Sequence, residues 1–142
     1  MSKRCAAADS IPSSPLFSQG IMAGGFLFTS GQLGLNNSAN QSENLTFEDE
    51  CVQALENIKA ILRSAAYDLK DVIKITIFIT DINQFDDFNN VYLKYFTTHK
   101  PARSCVVAAS LARGARVEIE AIAYKDKRSV GHILTPRMLE IV

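Results

Sequence analysis

Nine residues constrain this chain more than any others: Val72–Thr80, reading VIKITIFIT. Four isoleucines, Ile73, Ile75, Ile77 and Ile79, alternate with Val72, Lys74, Thr76, Phe78 and Thr80. A β-strand sends successive side chains to opposite faces, and β-branched residues favour it, so this segment is predicted as a strand with one apolar face. That face needs a cover. The opposite face is mixed, neither wholly solvated nor wholly core.

The cover is predicted in two helices. Over Thr46–Ala66, Val52, Leu55, Ile58, Ile61, Leu62 and Ala65 recur at three- and four-residue spacing. Thr46 suits the N-cap, and Glu48, Asp49 and Glu50 put negative charge at the positive end of the helix dipole. Over Asn83–His99, Phe85, Phe88, Val91, Tyr92, Tyr95 and Phe96 share one side, with Pro101 closing the segment. Helical spacing makes these aromatics core, not a platform on which bases stack.

The remaining strands follow from local patterns. Phe17–Met22 and Phe26–Ser30 flank Ala23-Gly24-Gly25, which reads as a hairpin. Arg103–Ala108 and Val117–Tyr124 are separated by a turn near Gly114. The order is ββαβαββ, an α+β layer with two helices on one face of a sheet. The uncovered face is expected to pack against another subunit.

Residues 1–13 read as a flexible tail, and IPSSPL (residues 11–16) leads into the fold as an extended arm. Asn36–Asn44 reads as an exposed loop, and residues 126–142 form an extension with no structural assignment. A single domain over residues 14–125 suits the length of 142 residues.

Composition narrows the function. Fifteen basic and fifteen acidic side chains leave a formal net charge of zero. Such a balance lacks the basic footprint of a nucleic-acid binder. No apolar run approaches the ~18 residues of a membrane span. Cys5, Cys51 and Cys105 are odd in number and lack close pairing, and are read as reduced thiols. The N-terminal ten residues have no apolar stretch of the secretory kind, which points to a cytoplasmic location, with a rudimentary mitochondrial presequence as the alternative. His99 and His132 stand alone, which argues against zinc hydrolysis and a serine triad, and no metal site is expected. Ser30-Gly31-Gln32-Leu33-Gly34 reads as a strand turning into a loop in preference to a phosphate cradle.

Two features carry chemistry. Arg103 opens an otherwise small and apolar strand, where a guanidinium is costly to desolvate unless it meets an anion. Glu118 and Glu120 share one face of a strand made otherwise of Val, Ile, Ala and Tyr, roughly 7 Å apart. The residues alone leave two readings open: an internal Arg–Glu ion pair that organises the sheet, or a site for a small carboxylate. Cys105 reads as a small buried thiol and not a nucleophile, since no base lies near it in sequence.

Several segments together resemble the RidA/YjgF family of reactive-intermediate deaminases. They are Ser30-Gly31-Gln32, Asn57–Leu62, Val72–Asn83, Lys100–Val106 (KPARSCV) and Val117–Ala123 (VEIEAIA). The resemblance runs from about Ser14 to Lys125, and its last two segments in combination are specific. It implies a chorismate-mutase-like subunit with a mixed sheet, assembled as a homotrimer with clefts between subunits. It implies hydrolysis of 2-imino acids (2-aminoacrylate/2-iminopropanoate and 2-iminobutanoate) to 2-oxo acids and ammonia, without cofactor. By the family pattern Arg103 clamps the substrate carboxylate and Glu118 positions water. Phe17, Ser30, Gly31, Asn89 and Cys105 line the pocket. The chain departs from the family at Pro15-Leu16-Phe17-Ser18-Gln19: deaminases usually carry P-Y-S-Q, so the ring is kept and its hydroxyl lost, with one residue inserted. Ala112 also replaces the usual proline. The alternatives are a trimeric carboxylate-binding regulator without turnover and, against the charge balance, a ribonuclease or translation inhibitor.

Overall fold

The computed structural model describes residues 2–35 and 45–126; the Asn36–Asn44 loop, His132 and all of the C-terminal extension beyond Asp126 lie outside the described residues. The elements are β1 (Arg4–Ala6), β2 (Gly20–Ala23), β3 (Phe26–Thr29), β4 (Gln32–Leu33), α1 (Phe47–Ser64), β5 (Val72–Ile79), α2 (Phe85–Tyr95), β6 (Ala102–Val107) and β7 (Val117–Tyr124). They form one sheet in the order β1-β2-β3-β7-β5-β6, with β4 also beside β7. β5 and β6 run parallel and the other pairs antiparallel, so the sheet is mixed. Both helices cover one face, as the apolar patterns require.

α1 begins where Thr46 accepts the Asp49 amide on its hydroxyl at 3.1 Å. Its buried stripe is Phe47, Cys51, Ala54, Leu55, Ile58, Ile61 and Leu62. Val52, expected on that face, is 37% exposed, because the stripe is centred a residue away and each residue turns the helix by about 100°. Glu50, placed in the first turn by its favourable interaction with the helix dipole, is 1% exposed. Its carboxylate accepts the Arg116 backbone amide at 2.6 Å and Nε at 2.7 Å, while Arg116 Nη2 reaches the Leu45 carbonyl at 2.8 Å. The start of α1 is thereby tied to the start of β7.

β5 holds Ile75, Ile77 and Ile79 in the core, but Ile73 is 44% exposed and Val72 is buried instead. The register against β7 slips between Val72 and Lys74. One extra residue there reverses the faces on either side of it. α2 ends at Tyr95, four residues before its predicted limit. Phe96, 2% exposed, leaves the helix to pack on Tyr92 with centroids 4.8 Å apart, and His99 Nε2 lies 2.5 Å from the Val72 carbonyl. The packing of Phe96 on Tyr92 and the His99 contact with the Val72 carbonyl, not the distant proline, set this end.

The hairpin turns on Gly24 (φ 57°) and Gly25 (φ 87°), the two positive φ values of a tight two-residue loop. The first strand starts later than predicted, at Gly20, leaving Phe17–Gln19 irregular. The N-terminal expectation needs a larger correction. Arg4–Ala6 pair with Met22–Gly20 as an edge strand, and Ala6 is 3% exposed. Gln19 pins the following segment by accepting the Ala8 amide at 2.8 Å and donating to the Ile11 carbonyl at 3.0 Å. Buried apolar contact and backbone pairing thus fix what looked like a frayed end.

The sheet face away from the helices carries Phe26, Phe28 and Tyr124, each at least 38% exposed, with the Phe26 and Tyr124 ring centroids 4.8 Å apart.

Candidate active site

Arg103 lies on β6 beside Ile75 of β5, so its side chain leaves the sheet on the helix-covered face. There it runs beneath α2. The guanidinium carbon is 4.7 Å from the Tyr92 ring centroid, 5.5 Å from Phe88 and 5.6 Å from Phe85. Ring faces attract a cation, and three of them offset part of its lost hydration. One Nη2 hydrogen goes to Asn89 Oδ1 at 2.6 Å. Among the described residues Arg103 makes no ion pair, so the internal Arg–Glu pair is overturned. A hollow of about 720 Å³ opens beside it, lined mainly by Phe85, Tyr92, Leu93, Phe96 and Pro101. Cys105, two residues on, faces the same hollow. Burial pushes its thiol pKa up and the Arg103 charge pulls it down, with burial the larger influence.

Glu118 has a different neighbourhood. It pairs with Phe78 of β5 and Leu33 of β4, on the strand positions that face away from the helices. From Phe28↔Ile122 to Gln32↔Ile119 one side advances four residues and β7 only three, which places a bulge at Ser30-Gly31. Thr29 Oγ1 takes up the Ala121 amide at 3.0 Å where the ladder is interrupted. The bulge brings the Gly31 backbone against the Glu118 carboxyl, and a Cβ at Gly31 would collide with Oε1 and Cδ of Glu118. Only glycine leaves that seat open. Burial raises the Glu118 pKa above the usual carboxylate range, and the Glu120 charge adds to the effect.

Ser30 is a strut. Its hydroxyl donates to the Ser18 carbonyl at 2.6 Å and its amide to the Gln19 carbonyl at 2.8 Å. Phe17, 55% exposed, shares with Gly31 a polar hollow of about 340 Å³. The predicted residues therefore fall into two groups. Arg103, Asn89 and Cys105 meet under α2; Glu118, Gly31, Phe17 and Ser30 gather about the bulge. Within one chain the sheet separates Arg103 from Glu118. Sequence reasoning missed Gln19, whose buried amide shapes the rim beside Phe17; a polar residue just ahead of an apolar strand was its one visible signal. Among the described residues no three or more His, Cys, Asp or Glu side chains converge as metal ligands would, and no helix is long and apolar enough to cross a membrane.

The α+β layer of two helices on a mixed sheet thus carries a guanidinium with no ion-pair partner among the described residues at one face and a carboxyl of raised pKa at the other. The family described as Endoribonuclease L-PSP matches residues 8–125, and the chain belongs to this YjgF/RidA family. A RutC family protein of Pyrococcus horikoshii is 46% identical over 110 residues, covering 78% of this chain and 87% of that protein. The human 2-iminobutanoate/2-iminopropanoate deaminase is 37% identical over 107 residues, covering 75% of this chain and 78% of that one. The crystal structure of the YjgF gene product of Escherichia coli superposes with a TM-score of 0.78 at 33% identity, over 86% of this chain and 98% of that chain.

Proposed function

We propose that the chain hydrolyses 2-imino acids such as 2-iminopropanoate and 2-iminobutanoate to 2-oxo acids and ammonia, working as a homotrimer with its sites between subunits. The observation that carries this reading is the placement of Arg103 and Glu118 on opposite faces of one sheet. A single small acid can meet both only if one copy offers its β6–α2 face and another its bulge around Gly31. The exposed Phe26, Phe28 and Tyr124 give the outer sheet face an apolar surface suited to such assembly. The human deaminase among the relatives supplies the substrate class.

The chemistry needs few parts. The planar fork of Arg103 takes the carboxylate in a bidentate grip, with Asn89 holding the fork in plane. Water is presented to C2 by Glu118. The water oxygen bonds to C2, the C=N π pair moves to nitrogen, and Glu118 accepts the water's proton. Glu118 returns that proton to nitrogen, then takes the proton of the new C2 hydroxyl and delivers it to nitrogen as well; the C2–N bond breaks, ammonia leaves, and C2=O forms. A base whose pKa is raised toward the working pH suits both proton movements. An imine is already electrophilic, so positioning supplies most of the acceleration. Phe17 keeps a ring at the rim without a phenolic hydroxyl.

The test couples threonine and a threonine dehydratase, which release the imine in solution, to the appearance of 2-oxobutanoate with and without this protein. Acceleration that is lost in Arg103→Ala, with the oligomer intact, is the expected result. A folded oligomer that binds 2-oxo acids yet gives no acceleration would establish the carboxylate-binding reading instead.

A further inference from the structure

We propose that Arg113 reads the far end of the substrate and fits the site to 2-imino acids whose side chain carries a second carboxylate; this rests on the deaminase reading above.

Arg113 sits in the turn between β6 and β7 at φ 59°, ψ 23°, followed by Gly114 at φ 70°. The left-handed region suits glycine and penalises a side chain, so a non-glycine residue held there invites a functional explanation. The side chain is exposed, and among the described residues it forms no ion pair. It borders the polar hollow of about 340 Å³ that also contains Phe17, Gly31, Gln32 and Gln53. Among the described residues no acidic side chain lines that hollow, and Arg113 is the one charged side chain that does.

The link to the reacting carbon runs through Gly31. Its backbone forms the seat of the Glu118 carboxyl on one side and a wall of the hollow on the other. A substrate with C2 beside Glu118 therefore sends its side chain past Gly31 toward Arg113. An apolar side chain would strip water from the Gln53 amide and the Arg113 cation without replacing those hydrogen bonds. A carboxylate returns acceptors to them. The hollow beside Arg103 is built the opposite way, from Phe85, Tyr92, Leu93 and Phe96, so the two ends of the site are chemically distinct.

The experiment compares two imines made in place by amino-acid oxidases, one from aspartate and one from 2-aminobutyrate, with surviving imine trapped by semicarbazide. Full-length protein is tested unchanged, as Arg113→Gly and as Arg113→Lys. Glycine adopts this φ freely, so the turn survives while the charge is removed. The expected result is acceleration of both imines by the unchanged protein, and a ratio of acidic to apolar rates that falls about tenfold in Arg113→Gly and is mostly kept in Arg113→Lys. Acceleration of the apolar imine alone, or a ratio indifferent to position 113, overturns the subsite and leaves the deaminase reading standing. Acceleration of neither imine removes that reading, and the subsite with it.

Discussion

Asn89 Oδ1 accepts a hydrogen from the Arg103 guanidinium at 2.6 Å, and this neutral partner leaves the cation's charge unspent. An amide orients the fork; a carboxylate at the same place would neutralise it. Asn89→Asp is therefore expected to raise KM for 2-iminobutanoate by about tenfold or more, because the new carboxylate competes with the substrate's own. Thermal stability should hold or rise. Steady-state kinetics beside a melting curve separate the two effects.

The acid limb of the pH–rate profile should report Glu118. Burial, and then the Glu120 charge, raise its pKa, and a base works only when ionised, so activity falls as pH drops through that raised value. Glu120→Gln removes the repulsion and should move the limb to lower pH. A limb that stays in place would assign the proton transfer to another group.

Linkage gives the same carboxyl an effect on stability. Because its folded pKa is raised, the folded state binds the proton more tightly than the unfolded chain does. Glu118 thus lowers stability as pH rises through its unfolded and then its folded value. Glu118→Gln should melt higher than the unchanged protein at pH 7 and lose that advantage in acid, while turnover disappears. Melting temperatures across pH decide it.

Gly31→Ala puts a methyl where Glu118 rests. The carboxyl must swing aside, at a cost of about 1–3 kcal/mol if the backbone stays put. Activity should drop sharply with the circular dichroism spectrum unchanged, and a second change, Glu118→Ala, should relieve the stability loss without restoring turnover.

Glu50→Ala removes the buried anion that holds the Arg116 amide and side chain. Breaking a buried pair of this kind costs about 3 kcal/mol, and the partial exposure of Arg116 places the loss at the lower end of that class. Urea denaturation measures it directly.

Much of this was legible in the chain. Val117–Tyr124 alternates without interruption, and its predicted limits match the strand. The helices announced themselves through spacing. Ile73 misled because a bulge costs no irregularity in the sequence: the alternation reads on while the backbone slips. Glu50 misled because an acid in a helix's first turn has an ordinary explanation, and the cation that buries it, Arg116, is far off in the chain. Arg103 and Glu118 each stood out as ions on apolar strands. Their placement on opposite faces did not, since it depends on which residues of β5 stand beside β6 and β7, a register that only the folded sheet displays.

On the proposed reading, that back-to-back placement makes each newly made chain inert until it meets its copies. Specific activity would then decline on dilution more steeply than the amount of protein does, and a block to self-association would silence turnover without touching a single reacting group.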